Sequence, residues 1–349
     1  MQQKTRIGII GATGYVGAEL ARILYGHDGF ELTLLTSQSF AGKPFSQIYP
    51  AFRGLVDLTC RTLDLDEAAA LCDIVVTALP HGVSSATVPQ LLERGLRVLD
   101  HSGDFRYREV AAYEDAYKLT HPEPALLAEA VYGLPELYRT KIGSARLIGD
   151  PGCYPTCSIL ALAPALKGGA VSSDRIIVDA VSGVSGAGRK SDLAYSYCET
   201  DESFRAYGVI GHRHTSEIEQ ELSLLAGRTV AIGFTPHLAP MKRGMLATVY
   251  ADLMPGVTAE SLHQMYESYY KDEPFVRVLP AGTCPDTRHV SGTNMADIGV
   301  FADLRNGRAV LLCAIDNLGK GSASQAVQSL NLMAGLPETA GLVRPGMML

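Results

Sequence analysis

Short, nearly continuous apolar runs alternate with amphipathic stretches through the first 150 residues. The run at 6–10 (RIGII) is apolar at successive positions, as a strand buried on both faces of a parallel sheet is. A glycine-rich segment follows at 11–17. Val16, Leu20, Ile23 and Leu24 then recur on one helical face. Further strands are expected at 30–35, 73–79, 97–99 and 146–148. Strands and helices in this alternation predict a doubly wound parallel sheet.

The pattern changes near Asp150. A helix is expected over 156–166, followed by β-rich runs at 175–184, 229–234, 245–253, 296–304 and 308–315. The last run follows a D-L-R-N-G-R turn and reads as the second strand of a hairpin. This half reads as α+β, a mixed sheet with few covering helices. A final helix is expected over 322–333, ending before Gly335 and Pro337. A chain of 349 residues exceeds what one core usually organises, so two domains are expected, 1–150 and 151–316.

Charge and composition narrow the function classes. The net charge is −7, with no long basic run, which argues against nucleic acid as a partner. No apolar run is long enough to span a bilayer, and MQQKTR leads straight into the first strand without the apolar core of a signal peptide. The seven cysteines fall at irregular spacings without a C-x-x-C pair, which argues against a disulfide framework or a metal site. A cytoplasmic protein is expected.

Gly11, Gly14 and Gly17 form a G-x-x-G-x-x-G variant of the dinucleotide fingerprint between a strand and a helix, so the first domain is expected to be a Rossmann domain. Gly11, Thr13, Gly14, Tyr15, Val16 and Gly17 are its candidate cofactor loop. At the end of the second strand the chain reads Thr36-Ser37-Gln38-Ser39, with Lys43 nearby. An acidic residue there would bind a ribose 2′-hydroxyl, whereas hydroxyls without a carboxylate suit a 2′-phosphate. NADP(H) is the expected cofactor, with Ser37 and Ser39 near that phosphate.

The segment D-P-G-C-Y-P-T sets Cys153 at the start of the helix expected in the second half, with Pro155 and Thr156 as helix-start residues. The positive end of a helix favours a thiolate, which attacks a carbonyl and leaves again from a thioester. Cys60, Cys72, Cys157 and Cys313 lie in apolar runs and read as buried packing residues. The segment G-H-R-H-T-S-E-I supplies His212, Arg213, His214 and Glu217 at the start of a helix that Thr215 or Ser216 can cap. Reduction of a thioester needs a group that gives and takes a proton near neutral pH, and histidine suits this. His214 is favoured, with Glu217 one turn along to orient it, and spacing leaves His212 as an alternative.

These motifs jointly resemble the N-acetyl-γ-glutamyl-phosphate reductase family, within the aspartate-semialdehyde and glyceraldehyde-phosphate dehydrogenase-like group. The resemblance spans most of the chain: GATGYVG (11–17), LPHGVS (79–84), DHSGDFR (100–106), VYGLPE (131–136), PGCYPT (151–156), SGVSGAGR (182–189), GHRHTSEI (211–218), FTPHLAPMKRG (234–244) and DNLGKGSASQAVQ (316–328). It implies a Rossmann domain completed by the segment 317–349, an α+β catalytic and dimerisation domain, and a homodimer or homotetramer. The implied reaction is NADPH-dependent reduction of N-acetyl-L-glutamyl 5-phosphate to the semialdehyde in arginine biosynthesis, with Cys153 as nucleophile and the H-R-H segment as source of the acid/base. Asn317 and Gly319, together with Ser185 and Gly186, are implied to lie near the nicotinamide. Ser324 departs from the family pattern, which has glycine there.

An anionic substrate needs cationic side chains. Ser102 and Arg106 in the S-G-D-F-R segment, Arg189 in the S-G-A-G-R loop and Arg243 are the candidates, since binding residues concentrate in such glycine- and proline-flanked loops. His237 reads equally well as a site residue or a turn histidine. The alternatives are a reductase of another acyl phosphate, such as aspartyl phosphate or a carrier-bound aminoadipyl or glutamyl phosphate, and a nucleotide-binding regulator without catalysis.

Overall fold

A computed structural model describes residues 3–189 and 191–347. The chain divides into two compact units. One comprises the chain up to Pro151 together with Ser322–Val343, the other Gly152–Gly321 with the chain from Arg344.

In the first unit, β1 (Thr5–Ile10), β2 (Phe30–Thr36), β3 (Ile74–Thr77), β4 (Arg97–Asp100), β5 (Val131–Tyr132) and β6 (Leu147–Gly149) form a sheet in the order β2-β1-β3-β4-β6-β5. Every pairing is parallel. The order reverses between β1 and β3, so the carboxyl end of β1 is the switch point at which such sheets bind ligands. The glycine loop leaves β1 there. The helix Tyr15–Leu24 buries Leu20, Ala21, Ile23 and Leu24, as the apolar spacing predicts. The helix Ser324–Met333 belongs to this unit and is buried along almost its whole length. Arg97 donates to the Met333 carbonyl, Gln328 to the Glu338 carboxylate at 2.7 Å, and Arg139 pairs with Glu338 at 2.7 Å. Ser324 is buried in that helix, so the departure from glycine is accommodated.

In the second unit, β7 (Ile176–Gly183), β8 (Arg205–Ala206), β9 (Ile232–Ala239), β10 (Met245–Asp252), β11 (Val276–Val278), β12 (Ala296–Asp303) and β13 (Arg308–Ile315) form a mixed sheet in the order β11-β12-β13-β10-β7-β9-β8. The expected hairpin is present as the antiparallel pair β12 and β13. The expectation of few covering helices needs correction. Cys153–Lys167, His214–Ala226 and Ala259–Tyr269 all pack on this unit. The Cys153–Lys167 helix buries every residue from Tyr154 to Leu166, as a helix enclosed between other elements must. Pro164 within it has no N–H for the Leu160 carbonyl. The Tyr270 hydroxyl donates to that carbonyl instead, at 2.6 Å.

The opposite sheet face lacks such cover. Along β10 the inward residues Met245, Ala247, Val249 and Ala251 are buried, while Leu246, Thr248, Tyr250 and Asp252 are half-exposed. Register places Tyr250 between Ile177 and Val310, and Leu246 beside Val181, with Thr248 opposite Asp179 and Asp252 opposite Arg308 on the same face, so the outward face carries apolar pairs interrupted by polar ones. Among the described residues, no helix is long and apolar enough to cross a membrane.

Candidate active site

The glycine loop in the first unit uses its three glycines differently. Gly11 has φ +88°, and a Cβ there would meet the Ala78 carbonyl oxygen at 2.5 Å. A Cβ on Gly17 would meet the Ala12 backbone at 2.6 Å, so this glycine lets helix and strand close up. At Gly14 the nearest atom to a Cβ is 3.8 Å away, which leaves the main chain open. Gly14 is also the N-cap of the Tyr15–Leu24 helix, which has no acidic residue in its first turn. An open main chain at a helix N-terminus fits a pyrophosphate. Tyr15 is exposed and Val16 half-buried beside it. The Thr13 and Ser37 hydroxyls bond each other at 2.8 Å, and Tyr49 donates to the Thr13 carbonyl at 2.9 Å. Ser37 is buried, whereas Ser39 and Lys43 are exposed. Arg61 was not foreseen: its carbonyl accepts the Ser37 N–H at 2.9 Å, which sets a guanidinium, paired with Glu67, beside the end of β2.

Ser102 and Arg106 serve the main chain and the core of this unit. The Ser102 hydroxyl donates to Asp100 and accepts the Asp104 N–H at 3.1 Å. Asp100 is fully buried, and burial pushes its carboxyl up against the opposing hydroxyls of Ser102, Ser84 and Thr77. Arg106 is buried and donates to the Asp150 carbonyl at 2.6 Å and the His101 carbonyl at 2.9 Å. It thereby steadies the chain that leads into Cys153.

Cys153 is the first residue of its helix, three residues earlier than the pattern predicts, with Gly152 as N-cap. Its sulfur therefore lies in the first turn, at the positive end of the macrodipole. It is partly exposed, unlike the buried Cys60, Cys72, Cys157 and Cys313. Two neighbours hold Gly152. The fully buried Glu217 carboxylate accepts its N–H at 2.9 Å, and a Cβ on it would lie 2.5 Å from His214 Nε2. The His214 ring edge is thus pressed against the residue that precedes Cys153. Gly321 approaches from another side, where a Cβ would lie 2.8 Å from the Cys153 Cβ.

The helix carrying the histidines begins at His214, so Thr215 and Ser216 lie inside it and do not cap it. His212 does so: its Nδ1 accepts the His214 N–H at 3.1 Å. His212 packs edge to face against Tyr154, Tyr207 and Phe234. Burial, with a smaller effect from Arg213, pushes its imidazole down to about 4. Burial also raises the two phenols. Tyr207, pushed up to about 12, donates to the Tyr154 hydroxyl at 3.1 Å, and Tyr154 donates to the His237 carbonyl at 3.0 Å. His237 therefore contributes its main chain here, and its ring stacks on Phe204.

Cys153, His212 and His214 line a cavity of about 410 Å³ together with Ser182, Gly186, Tyr207, Arg205 and Arg213. The described lining residues include no carboxylate. Arg205 and Arg213 are the cations here: the H-R-H segment supplies Arg213 as a neighbour of the histidines, and loop composition does not single out Arg205. Arg243 is used otherwise. It pairs at 2.9 Å with the fully buried Asp316, which also accepts the N–H groups of Gly292 at 2.5 Å, Leu318 at 2.9 Å and Gly319 at 3.1 Å. Arg189 is exposed on the loop after Gly188.

Four of the residues expected near the nicotinamide come together in this unit. Asn317 Nδ2 donates to Ser185 Oγ at 2.9 Å, and Asn317 Oδ1 accepts the Gly244 N–H at 2.8 Å. A Cβ on Gly186 would lie 2.9 Å from Ser182 Oγ, and one on Gly319 would strike the Thr293 carbonyl.

Comparison with known proteins agrees with both units. The family model described as semialdehyde dehydrogenase, NAD binding domain, matches residues 6–145, and the one described as semialdehyde dehydrogenase, dimerisation domain, matches residues 153–317. Among solved structures, aspartate semialdehyde dehydrogenase II from Vibrio cholerae shares the fold, with a TM-score of 0.73 at 19% identity over 96% of this chain and 99% of that one. Aspartate semialdehyde dehydrogenase from Candida albicans gives a TM-score of 0.69 at 16% identity over 95% and 98%. The N-acetyl-gamma-glutamyl-phosphate reductase of Acetivibrio thermocellus is 55% identical over 97% of this chain and 98% of its own length. That of Moorella thermoacetica is 50% identical over 98% and 99%. With a nicotinamide-dinucleotide-binding unit, a dimerisation unit and this identity over nearly its full length, the chain belongs to the N-acetyl-gamma-glutamyl-phosphate reductases of the semialdehyde dehydrogenase family.

Proposed function

We propose that this enzyme reduces N-acetyl-L-glutamyl 5-phosphate to N-acetyl-L-glutamate 5-semialdehyde through a thioester on Cys153, with His214 as acid/base and NADPH as reductant. The observation that carries the reading is the seating of His214 Nε2 against Gly152, beside a cysteine at a helix N-terminus.

His214 takes the Cys153 proton, and the thiolate attacks the γ-carbonyl carbon. The C–S bond forms, the bond from that carbon to the phosphate oxygen breaks, and inorganic phosphate leaves. Bound NADPH supplies the hydride that reduces the thioester carbon. His214 protonates the resulting oxygen, then recovers that proton as the C–S bond breaks and the aldehyde leaves. The Tyr154 amide, in the first turn of the Cys153 helix, is suited to steady the oxyanion, while Pro155 offers no N–H. Arg205 and Arg213 suit the phosphate and carboxylate of the substrate, as cations on a cavity wall whose described residues include no carboxylate.

The preference for NADPH rests on Ser37, Ser39, Lys43 and Arg61 around the end of β2. A second copy of the chain suits the open face of the seven-stranded sheet, in keeping with the dimerisation-domain match. Free thiols at all seven cysteines suit the cytoplasm.

Incubation with the semialdehyde, phosphate and NADP⁺ should yield NADPH. Mass spectrometry of enzyme quenched during turnover should find the acyl group on Cys153, and Cys153→Ser should bind NADPH without turning over. An unmodified Cys153, or a turning-over Cys153→Ser variant, refutes the thioester.

A further inference from the structure

Two histidine rings line the Cys153 cavity, and the chemistry above uses one of them. The other is committed through its lone pair. His212 Nδ1 accepts the His214 N–H at 3.1 Å, and the His212 carbonyl accepts the Thr215 N–H at 3.0 Å. These are the amides of the first two residues of the His214–Ala226 helix, which have no partner within it. Serine, threonine, aspartate or asparagine usually fills this role. Here the N-cap residue Arg213 makes no side-chain capping bond.

The His212 ring is held on several sides. Its centroid lies 5.6 Å from that of Tyr154, 5.5 Å from Tyr207, 5.4 Å from Phe234 and 4.9 Å from His214. Gly208, at φ +56°, closes another side, where a Cβ would lie 3.1 Å from His212 Cδ2.

We propose that His212 is a positioning residue for His214: a neutral imidazole, protonated on Nε2 only, that caps the His214 helix and fixes the ring beside Gly152 without exchanging protons in the reaction. This rests on the assignment of the acid/base role to His214.

A protonated His212 has no lone pair for the amide and sets a second cation 4.9 Å from the ring that must gain a proton. The surroundings oppose that protonation. Arg213 is adjacent, Arg205 lines the same cavity, and the facing phenols of Tyr154 and Tyr207 are held protonated by burial. The nearest carboxylate on the helix, Glu217, is engaged with the Gly152 amide. The H-R-H segment thus separates two similar rings into a cap and a titrating group.

The test compares His212→Asn, which keeps an acceptor for an amide two residues on, with His212→Ala, which does not. Steady-state kinetics against pH and ¹⁵N-histidine NMR of the full-length enzyme are the readouts. His212→Ala should lose kcat by about 10- to 100-fold through misplacement of His214, with the KM for the dinucleotide unchanged. His212→Asn should recover most of that loss and keep the wild-type pH limbs. The His212 resonances should report a neutral Nε2–H tautomer from pH 6 to 8. His212→Asn as inactive as His212→Ala, or a His212 ring protonated at pH 7, overturns the inference. A His214→Asn variant with wild-type turnover refutes the acid/base assignment separately, and the NMR measurement still decides the state of His212.

Discussion

Glu217 accepts the amide hydrogen of Gly152 at 2.9 Å, although sixty-five residues of chain separate them. The carboxylate sits on the helix that begins with His214, and the amide precedes Cys153. One buried bond therefore ties the chain before Cys153 to the helix that begins with His214, the two residues proposed as nucleophile and acid/base. Glu217→Ala should lower kcat by about 100-fold, the cost of roughly an ångström of misplacement, with little change in dinucleotide affinity. Glu217→Gln keeps an acceptor oxygen and should retain more activity. Equal loss in both variants would show that the charge, not the bond, matters.

Gly152→Ala probes the same contact from the other side. The added methyl would lie 2.5 Å from His214 Nε2, so the imidazole must move away from residue 152 and leave its seat beside Cys153. The variant should fold and bind NADPH while kcat falls by about 10- to 100-fold. Stopped-flow measurement should place the loss before phosphate release.

The arginines should separate by readout. Arg243→Ala leaves the fully buried Asp316 without its cation. It should cost on the order of 3 kcal/mol, a Tm drop of roughly 6–12 °C. Arg213→Ala, on the cavity wall, should leave Tm almost unchanged and raise the substrate KM about 10-fold or more, as loss of a charge-assisted contact does. Calorimetry and initial rates distinguish the two.

Acid stability should depend on His212. Its folded-state imidazole sits near 4, below the usual histidine value of 6.5. Between those values the unfolded chain binds the proton and the folded one does not, so stability falls as pH drops from 6.5 towards 4. Burial lowers His27 and His121 as well, and they share this slope. His212→Asn should flatten the dependence of unfolding free energy on pH in that window relative to wild type. Denaturant titrations at stepped pH measure the difference.

Assembly should be sensitive to Tyr250, which lies between Ile177 and Val310 on the open sheet face. Tyr250→Arg should shift the enzyme towards monomer in sedimentation velocity, because a charge buried in an apolar interface is costly.

Periodicity located most of the long strands to within two residues, because Ile7, Ile9, Val75 and Val178 belong to runs whose apolarity is dictated by burial, whereas the run expected at 229–234 is the strand Ile232–Ala239, whose second half contains Pro236 and His237. Val131–Tyr132, Arg205–Ala206 and Val276–Val278 were missed because two or three residues carry no period. The Ala259–Tyr269 helix was missed for a different reason. Its buried face relies on tyrosines, and Tyr266 donates to the Ala161 carbonyl at 2.5 Å, a pairing no local pattern announces.

At the site, Cys153 and the H-R-H segment were legible from residue type and framing. The division of labour between the histidines was not, since it turns on one lone pair and one backbone amide. Glycine-flanked loops drew attention to Arg106 and Arg243, whereas folding directs both to internal acceptors. Arg205 and Arg213 reach the cavity through tertiary placement, which local composition does not encode.

The helix Ser324–Met333 packs within the same unit as the first 151 residues, and Arg97 closes on the Met333 carbonyl. On the ribosome, the amino-terminal half emerges long before this helix, at about 5–20 residues per second. The dinucleotide-binding sheet must then wait, with apolar surface uncovered, while the entire intervening unit is translated. Chain order alone therefore delays burial of this surface until the helix Ser324–Met333 has been made, and a message cut short before that helix would yield a polypeptide that exposes the surface to chaperones and proteases.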